Sequence, residues 1–336
     1  MSLCHILPWK NFGDELGPPV VKRILELHFG CSTKALNVID LNNTYIPVSS
    51  AFPFTNRTDT CLMTVGSLWR MIKSGDHVWG TGVAYENIVE ERCKPENKTL
   101  NNPVENVTVY SSRGPFSANQ IQEMCSYKVL KSNKKTKNAS DIDTVNGTIE
   151  GSGDAGFLVP FLFPELQRKT MTSDGVVGEG NKRKCLIPHK LDHKVEQDPP
   201  DAVKTLNVGN GWVNMILALQ DCDVVASSSL HGIILAEALG IANSWLKVSS
   251  FLRFGPVFNF KFDDFYMSYR GLTQFKHQTL SEALSNTTQP LTYTEREAYA
   301  KRILKTFPMH LFQEVDEIGL TSVTRKQEIE YQRHGQ

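Results

Sequence analysis

The stretch CDVVASSSLHGIILAEALG, residues 222–240, decides how the chain is to be read. An apolar, β-branched run leads into Ser227, Ser228 and Ser229. His231 and Gly232 then open an apolar segment of helical length, closed by Gly240. The following ANSWLKV (242–248) reads as another strand. Strand, helix and strand joined by short connections predict a βαβ unit and therefore a parallel sheet.

The same alternation recurs on both sides of this unit. SLCHIL reads as a strand, NFGDELG as a polar loop and PPVVKRILELHFG as a helix. Pro18 and Pro19 suit its first turn, Val20, Val21, Ile24, Leu25 and Leu27 mark its apolar face, and Gly30 its C-cap. CLMTV and HVWGTGV are expected strands around a short amphipathic helix. VTVYS is a strand leading through SRGP to a helix capped near Ser117. Further on, KCLIPHK reads as a strand, GWVNMILALQDC as a helix, and TEREAYAKRILKTF as a terminal amphipathic helix. Between the halves, 127–150 is rich in Lys, Asn, Ser, Thr and Gly and is expected to be a solvated insertion. A second polar loop is expected at 171–184. The fold expected is thus α/β, an N-terminal doubly wound half at 1–150 and a C-terminal half at 151–336, facing each other across a cleft. Ligands bind at the carboxyl ends of strands in such sheets.

Composition narrows the function classes. Lys+Arg and Asp+Glu balance at 36 each over 336 residues, which argues against a nucleic-acid partner but leaves room for a local anion pocket. No apolar run approaches the length of a membrane span, so a soluble chain without a transmembrane segment is expected. The seven cysteines are scattered singly, without metal-site spacing, and no metal is expected. N-x-[ST] sequons begin at Asn42, Asn56, Asn97, Asn106, Asn138, Asn146 and Asn286. Chance would place roughly three among 21 asparagines. The excess favours a glycoprotein of the secretory pathway or Golgi lumen. The opening MSLCHILPWKNFGDEL shows no signal peptide, and the alternative is cytoplasmic.

The chemistry-bearing residues cluster in the loops. A strand-to-helix junction points backbone N–H groups and the positive end of a helix dipole at whatever lies beyond the sheet. With the hydroxyls of Ser227–Ser229 and a close approach allowed by Gly232, residues 227–232 form a candidate anion cradle, and His231 a candidate proton donor or acceptor. The plainer alternative is a serine cap beside a structural histidine. In NFGDELG, Asn11 and Asp14 are candidates for a polyol's hydroxyls and Gly13 for close ligand approach, with plain loop and N-cap chemistry as the alternative. Arg113 offers a planar fork for phosphate or carboxylate. His189, Lys190, Asp192 and His193 in IPHKLDH lack a third metal ligand and read as substrate contacts or surface. Asp154 sits in a Gly-rich turn suited to an interdomain contact.

Taken in order, NFGDELGP, GSLWRMIKSGDHVWGTGV, SSRGPFSA, GDAGFLVP, IPHKLDH, SSSLHGIILAEALGI and KFDDFY resemble the polysaccharide pyruvyl transferase family, over about residues 8 to 270. Within it the chain is most similar to the exopolysaccharide ketal-pyruvate transferases. The resemblance implies two Rossmann-like domains arranged as in GT-B glycosyltransferases. It implies transfer from phosphoenolpyruvate to two hydroxyls of a sugar, a hexose such as galactose in a glycan, giving a cyclic ketal and phosphate. No cofactor is implied; phosphoenolpyruvate is the donor substrate. His231 and Arg113 are then the catalytic candidates, and Ser228, Ser229 and Gly232 the donor-binding ones. Asn11, Gly13, Asp14, His189 and Asp154 are candidates for acceptor or interdomain contacts. Many members of the family carry arginine where this chain has Ser229, and Arg253 or Lys261 is the expected substitute. Two competing readings are a nucleotide-sugar glycosyltransferase on the same fold and a glycan-binding descendant without catalysis.

Overall fold

The computed structural model describes residues 2–5, 12–29, 37–40, 60–84, 104–124, 127–130, 144–145, 149–168, 182–189, 192, 202–247, 259–273 and 276–315. Within these the protein is α/β, built on two largely parallel sheets.

The first sheet contains β1 (Ser2–His5), β2 (Asn37–Asp40), β3 (Cys61–Met63), β4 (His77–Trp79), β5 (Val107–Ser111), β6 (Tyr127–Leu130) and β7 (Thr144–Val145), in the order β2-β1-β3-β4-β5-β6-β7. Only the β6–β7 pair is antiparallel. Both of these strands lie inside the segment expected as an insertion; 131–143 and most of the loop at 171–184 fall outside the described residues. The second sheet contains β8 (Lys184–Ile187), β9 (Val203–Thr205), β10 (Val224–Ser227), β11 (Ala242–Leu246) and β12 (Lys276–His277), all parallel, in the order β12-β11-β10-β8-β9.

Both orders reverse direction once. The chain moves outward from β1 to β2 and returns to β3 on the other side of β1. It moves from β8 to β9 and returns to β10. The loops leaving the neighbours of a reversal diverge to opposite faces, opening a crevice at the carboxyl ends of the strands. In the first sheet that crevice lies between β1 and β3, in the second between β8 and β10.

The helices follow from their sequences. α1 (Gly17–Phe29) carries prolines in its first turn and buries Val20, Val21, Ile24 and Leu25. α2 (Pro115–Met124) begins two residues before Ser117, so this serine is inside the first turn rather than at the cap. Its hydroxyl is taken by tertiary bonds from Val83 N–H and to Asp264. The expected amphipathic helix at 68–71 is a single 3-10 turn. A second 3-10 turn, Ala155–Leu158, is capped by Asp154 and continues into α3 (Val159–Leu162). α4 (Trp212–Gln220) and α5 (Leu230–Leu239) flank β10. Every residue of α5 is buried, which explains why its sequence is apolar on all sides. α5 ends where Gly240 takes the left-handed conformation (φ 72°). α6 (Phe260–Arg270), α7 (Leu280–Ser285) and α8 (Tyr293–Lys305) follow, α7 and α8 each opening with a capping box, and a 3-10 turn at Met309–Val315 ends the described chain.

One apolar core joins the two sheets. Leu62 and Trp79 of the first and Ile187 and Val225 of the second belong to the same buried cluster, with Phe157, Tyr269, Tyr299 and Ile303 among the side chains between them. Cys185 on β8 is disulfide-bonded to Cys222, two residues before β10. Cys61 is also disulfide-bonded. Spacing along the chain gave no sign of the Cys185–Cys222 pairing, which depends on β8 and β10 lying side by side.

Candidate functional site

The two crevices meet at His231. The loop after β1 brings Phe12 and Gly13, the loop after β3 brings Gly66 and Ser67, the loop after β8 brings His189, and the junction after β10 brings Ser228, Ser229 and His231. Phe12 N–H donates to Val208 O at 2.9 Å, fastening the first loop to the second sheet.

The serine run builds the junction. Ser229 N–H donates to Ser227 Oγ (3.0 Å), whose hydroxyl lies 2.9 Å from both Ile187 O and Ser229 O. Ser228 Oγ accepts from His189 N–H at 2.9 Å, locking the ends of β8 and β10 together. Ser229 occupies the N-cap of α5, yet its side chain makes no capping bond. The glycine at 232 serves packing: a Cβ there would come within 2.4 Å of Ser227 Oγ and 3.1 Å of Ile187.

His231, in the first turn of α5, is 6% exposed. Two motifs close around it. A Cβ on Gly13 would lie 2.0 Å from Nδ1, so only glycine fits against that edge of the ring. Phe12 meets it edge-on at 6.4 Å. On the opposite edge, Nε2 stands 3.9 Å from Asp154 Oδ2, and neither atom has a hydrogen-bond partner among the described residues. Asp154 is 0% exposed, and its other oxygen accepts from Gly156 N–H at 2.9 Å. Burial pulls the imidazole down to about 3, helped by the nearby charges of Lys261 and Arg113. Burial raises the Asp154 carboxyl to about 6, against the opposing pull of Arg113 and of the Gly156 and Gly66 amides. At neutral pH the histidine is therefore neutral and the aspartate mostly ionised.

Arg113 is placed differently from a solvent-facing anion clamp. It is 0% exposed, with Nε 3.3 Å from Asp264 Oδ2, Nη1 2.9 Å from Ser67 Oγ and Nη2 2.6 Å from Val83 O. Gly82 leaves room for the guanidinium: a Cβ there would sit 2.3 Å from Cζ. Asp264 completes the clasp by accepting from Ser117 N–H (2.9 Å) and Ser117 Oγ–H (2.6 Å).

Compared with protein-family models, with curated proteins and with solved structures, the chain gives no match.

Lys261 lies in the first turn of α6, close enough to Arg113, Asp14 and Asp192 for each to affect its charge. Burial lowers its ammonium to about 8, with Arg113 pulling the same way and Asp14 and Asp192 opposing. Asp14 also raises Asp154. His231, Asp154, Gly13, Asp14, His189, Ser228, Ser229, Lys261 and Arg113 are thus gathered around one spot. Asn11, Arg253, Lys190 and His193 lie outside the described residues. Sequence reasoning passed over Ser67 and Asp264 and took Ser117 only as a helix cap. The adjacent acids of KFDDFY, set in an aromatic run, were a usable signal for Asp264. Among the described residues, no group of three His, Cys, Asp or Glu side chains is disposed to hold a metal ion. None of their helices is long and apolar enough to cross a membrane.

Proposed function

We propose that the chain is a ketal-forming pyruvyl transferase that uses phosphoenolpyruvate and a sugar diol. In this reading the two sheets are cores of Rossmann-like domains at about 1–150 and 151–336, facing across a cleft in the GT-B manner, and the His231 cluster lies in that cleft. The observation that carries the reading is the buried imidazole at the N-terminus of α5, with a nitrogen that has no hydrogen-bond partner among the described residues and with Lys261 nearby. A helix N-terminus and an ammonium suit a donor with phosphate and carboxylate groups, and a neutral imidazole suits proton transfer.

His231 takes the proton of the first sugar hydroxyl and returns it to the methylene carbon of the donor as the new C–O bond forms. The second hydroxyl then attacks the same carbon, the C–O bond to phosphate breaks, and the second proton leaves with phosphate. Lys261 stands in for the arginine that Ser229 replaces. Arg113 acts from behind, holding Asp264 and contributing positive potential.

A second reading has its own observation. The Arg113 guanidinium is committed to internal partners and Ser229 carries no charge, as a glycan-binding descendant without catalysis would allow. Phosphate release from phosphoenolpyruvate, measured with a panel of hexosides, separates the two. Acceptor-dependent release that His231→Asn and Lys261→Met abolish in folded protein supports the transferase. Glycoside binding that survives both substitutions, with no release from any acceptor, replaces it with the binding reading.

A further inference from the structure

Two motifs far apart in the chain grip opposite nitrogens of one ring. Gly13 lies against Nδ1 of His231, and Asp154 faces Nε2. A buried polar atom without a hydrogen bond is costly, so two of them facing each other, neither with another partner among the described residues, ask for an explanation. The 3.9 Å separation is about 1 Å beyond a hydrogen bond, within reach of a small ring shift. Asp154 has little freedom to turn away: Oδ1 is held by the Gly156 amide at the N-cap of the 3-10 turn, and that turn packs against α5. The carboxylate is an acceptor, and Nε2–H is the donor that it selects. The proton of the neutral ring then sits on Nε2, and the lone pair sits on Nδ1, under Gly13.

We propose that Asp154 is a positioning residue that fixes the Nε2–H tautomer of His231, so that the basic lone pair of the ring lies on Nδ1, the edge against which the Gly13 backbone packs. This deepens the proposed transferase reading by naming the basic nitrogen of the ring, and in that respect rests on it. Gly13 and Asp154 are then parts of one device. The aspartate turns the ring's basic nitrogen toward the loop after β1, and the glycine lets that loop lie directly against the ring. Asp154 does not itself touch substrate.

The experiment uses the full chain with 15N-labelled histidine. Long-range proton–nitrogen spectra at pH 7.5 report the tautomer, with the His231 signals identified by their loss in His231→Asn. The wild-type ring is expected to show a protonated Nε2 and an unprotonated Nδ1. Asp154→Asn keeps the N-cap oxygen but presents an amide donor, and its ring is expected to switch to the Nδ1–H form. A carboxylate-to-amide change of this kind costs on the order of 10^4 in turnover in serine hydrolases. Here kcat is expected to fall at least 100-fold while KM for phosphoenolpyruvate stays within threefold. Asp154→Glu is expected to recover the Nε2–H signal in part.

A wild-type ring protonated on Nδ1, or a tautomer indifferent to Asp154→Asn, overturns the proposal. If the tautomer switches as expected but no acceptor supports phosphate release, the transferase reading falls and the assignment of Asp154 stands.

Discussion

Ser117 Oγ donates to Asp264 Oδ2 across 2.6 Å, although 147 residues separate the two along the chain. That bond ties α2, behind the first sheet, to α6, and it completes the set of donors around a carboxylate that also holds Arg113. Neither charge has access to solvent. Such a clasp contributes little net stability, because desolvating both ions offsets their attraction, but breaking it leaves one charge stranded.

Asp264→Ala is therefore expected to destabilise the protein by about 3–5 kcal/mol, seen as a lower urea midpoint. The paired replacement Arg113→Met with Asp264→Leu is expected to cost much less than the sum of the single changes. Additive losses would mean that the two side chains do not act as a unit.

The two glycines of NFGDELG have opposite tolerances. A Cβ at Gly13 overlaps the imidazole at 2.0 Å, whereas at Gly17 its closest neighbour is Thr64 Oγ1 at 3.5 Å, ordinary contact. Gly13→Ala is expected to cost about 1–3 kcal/mol and to displace His231. Gly17→Ala is expected to be neutral or slightly stabilising at the start of α1. Thermal unfolding of both variants, with the His231 nitrogen signals of each, checks the contrast.

The Cys185–Cys222 bridge closes a loop with a sequence separation of 37. Loss of such a cross-link is expected to lower stability by about 4 kcal/mol through the freed unfolded chain. Cys222 precedes β10 while the site lies beyond its far end, so Cys185→Ala with Cys222→Ala should leave ligand affinity unchanged at temperatures where the protein stays folded. Peptide mapping without reductant should recover the two cysteines in one linked fragment.

What the sequence disclosed and what it withheld divide along physical lines. Alternating strands and helices were legible because each element's period is local: VTVYS is β5 as it stands, and LHGIILAEAL is α5. His231 was legible as well, as a titratable ring at the start of an apolar helix. Its partner was not. Asp154 reads as a turn residue, and only the packing of its 3-10 turn on α5 brings it to Nε2. Arg113 misleads in the opposite direction, since a loop arginine is normally solvated. Its burial depends on Gly82, Ser67 and Asp264, which come from three other segments. Strand order, and with it the meeting of the two crevices, is a long-range property that no local pattern encodes.

The pH dependence of stability supplies the sharpest test of the buried pair, because its two members push in opposite directions. His231 has its folded value lowered to about 3 from an ordinary 6.5, by burial first and then by Lys261 and Arg113. Its contribution is therefore present above pH 6.5 and is lost as pH falls from there toward 3. Asp154 has its folded value raised to about 6 from 3.8, by burial. Its contribution is present below 3.8 and is lost as pH rises through 6. Each shifted pKa unit corresponds to about 1.4 kcal/mol, so both effects reach several kcal/mol. Urea midpoints at intervals between pH 4 and 8 are compared as differences from wild type, which cancels groups common to all proteins, His77 included. His231→Asn is expected to gain on wild type as pH drops below 6.5. Asp154→Asn is expected to gain as pH rises from 4 to 6, and to hold its advantage above that. Parallel curves for Asp154→Asn and wild type across pH 4–6 would mean that water reaches the carboxylate, and that Asp154 is not the buried partner of His231.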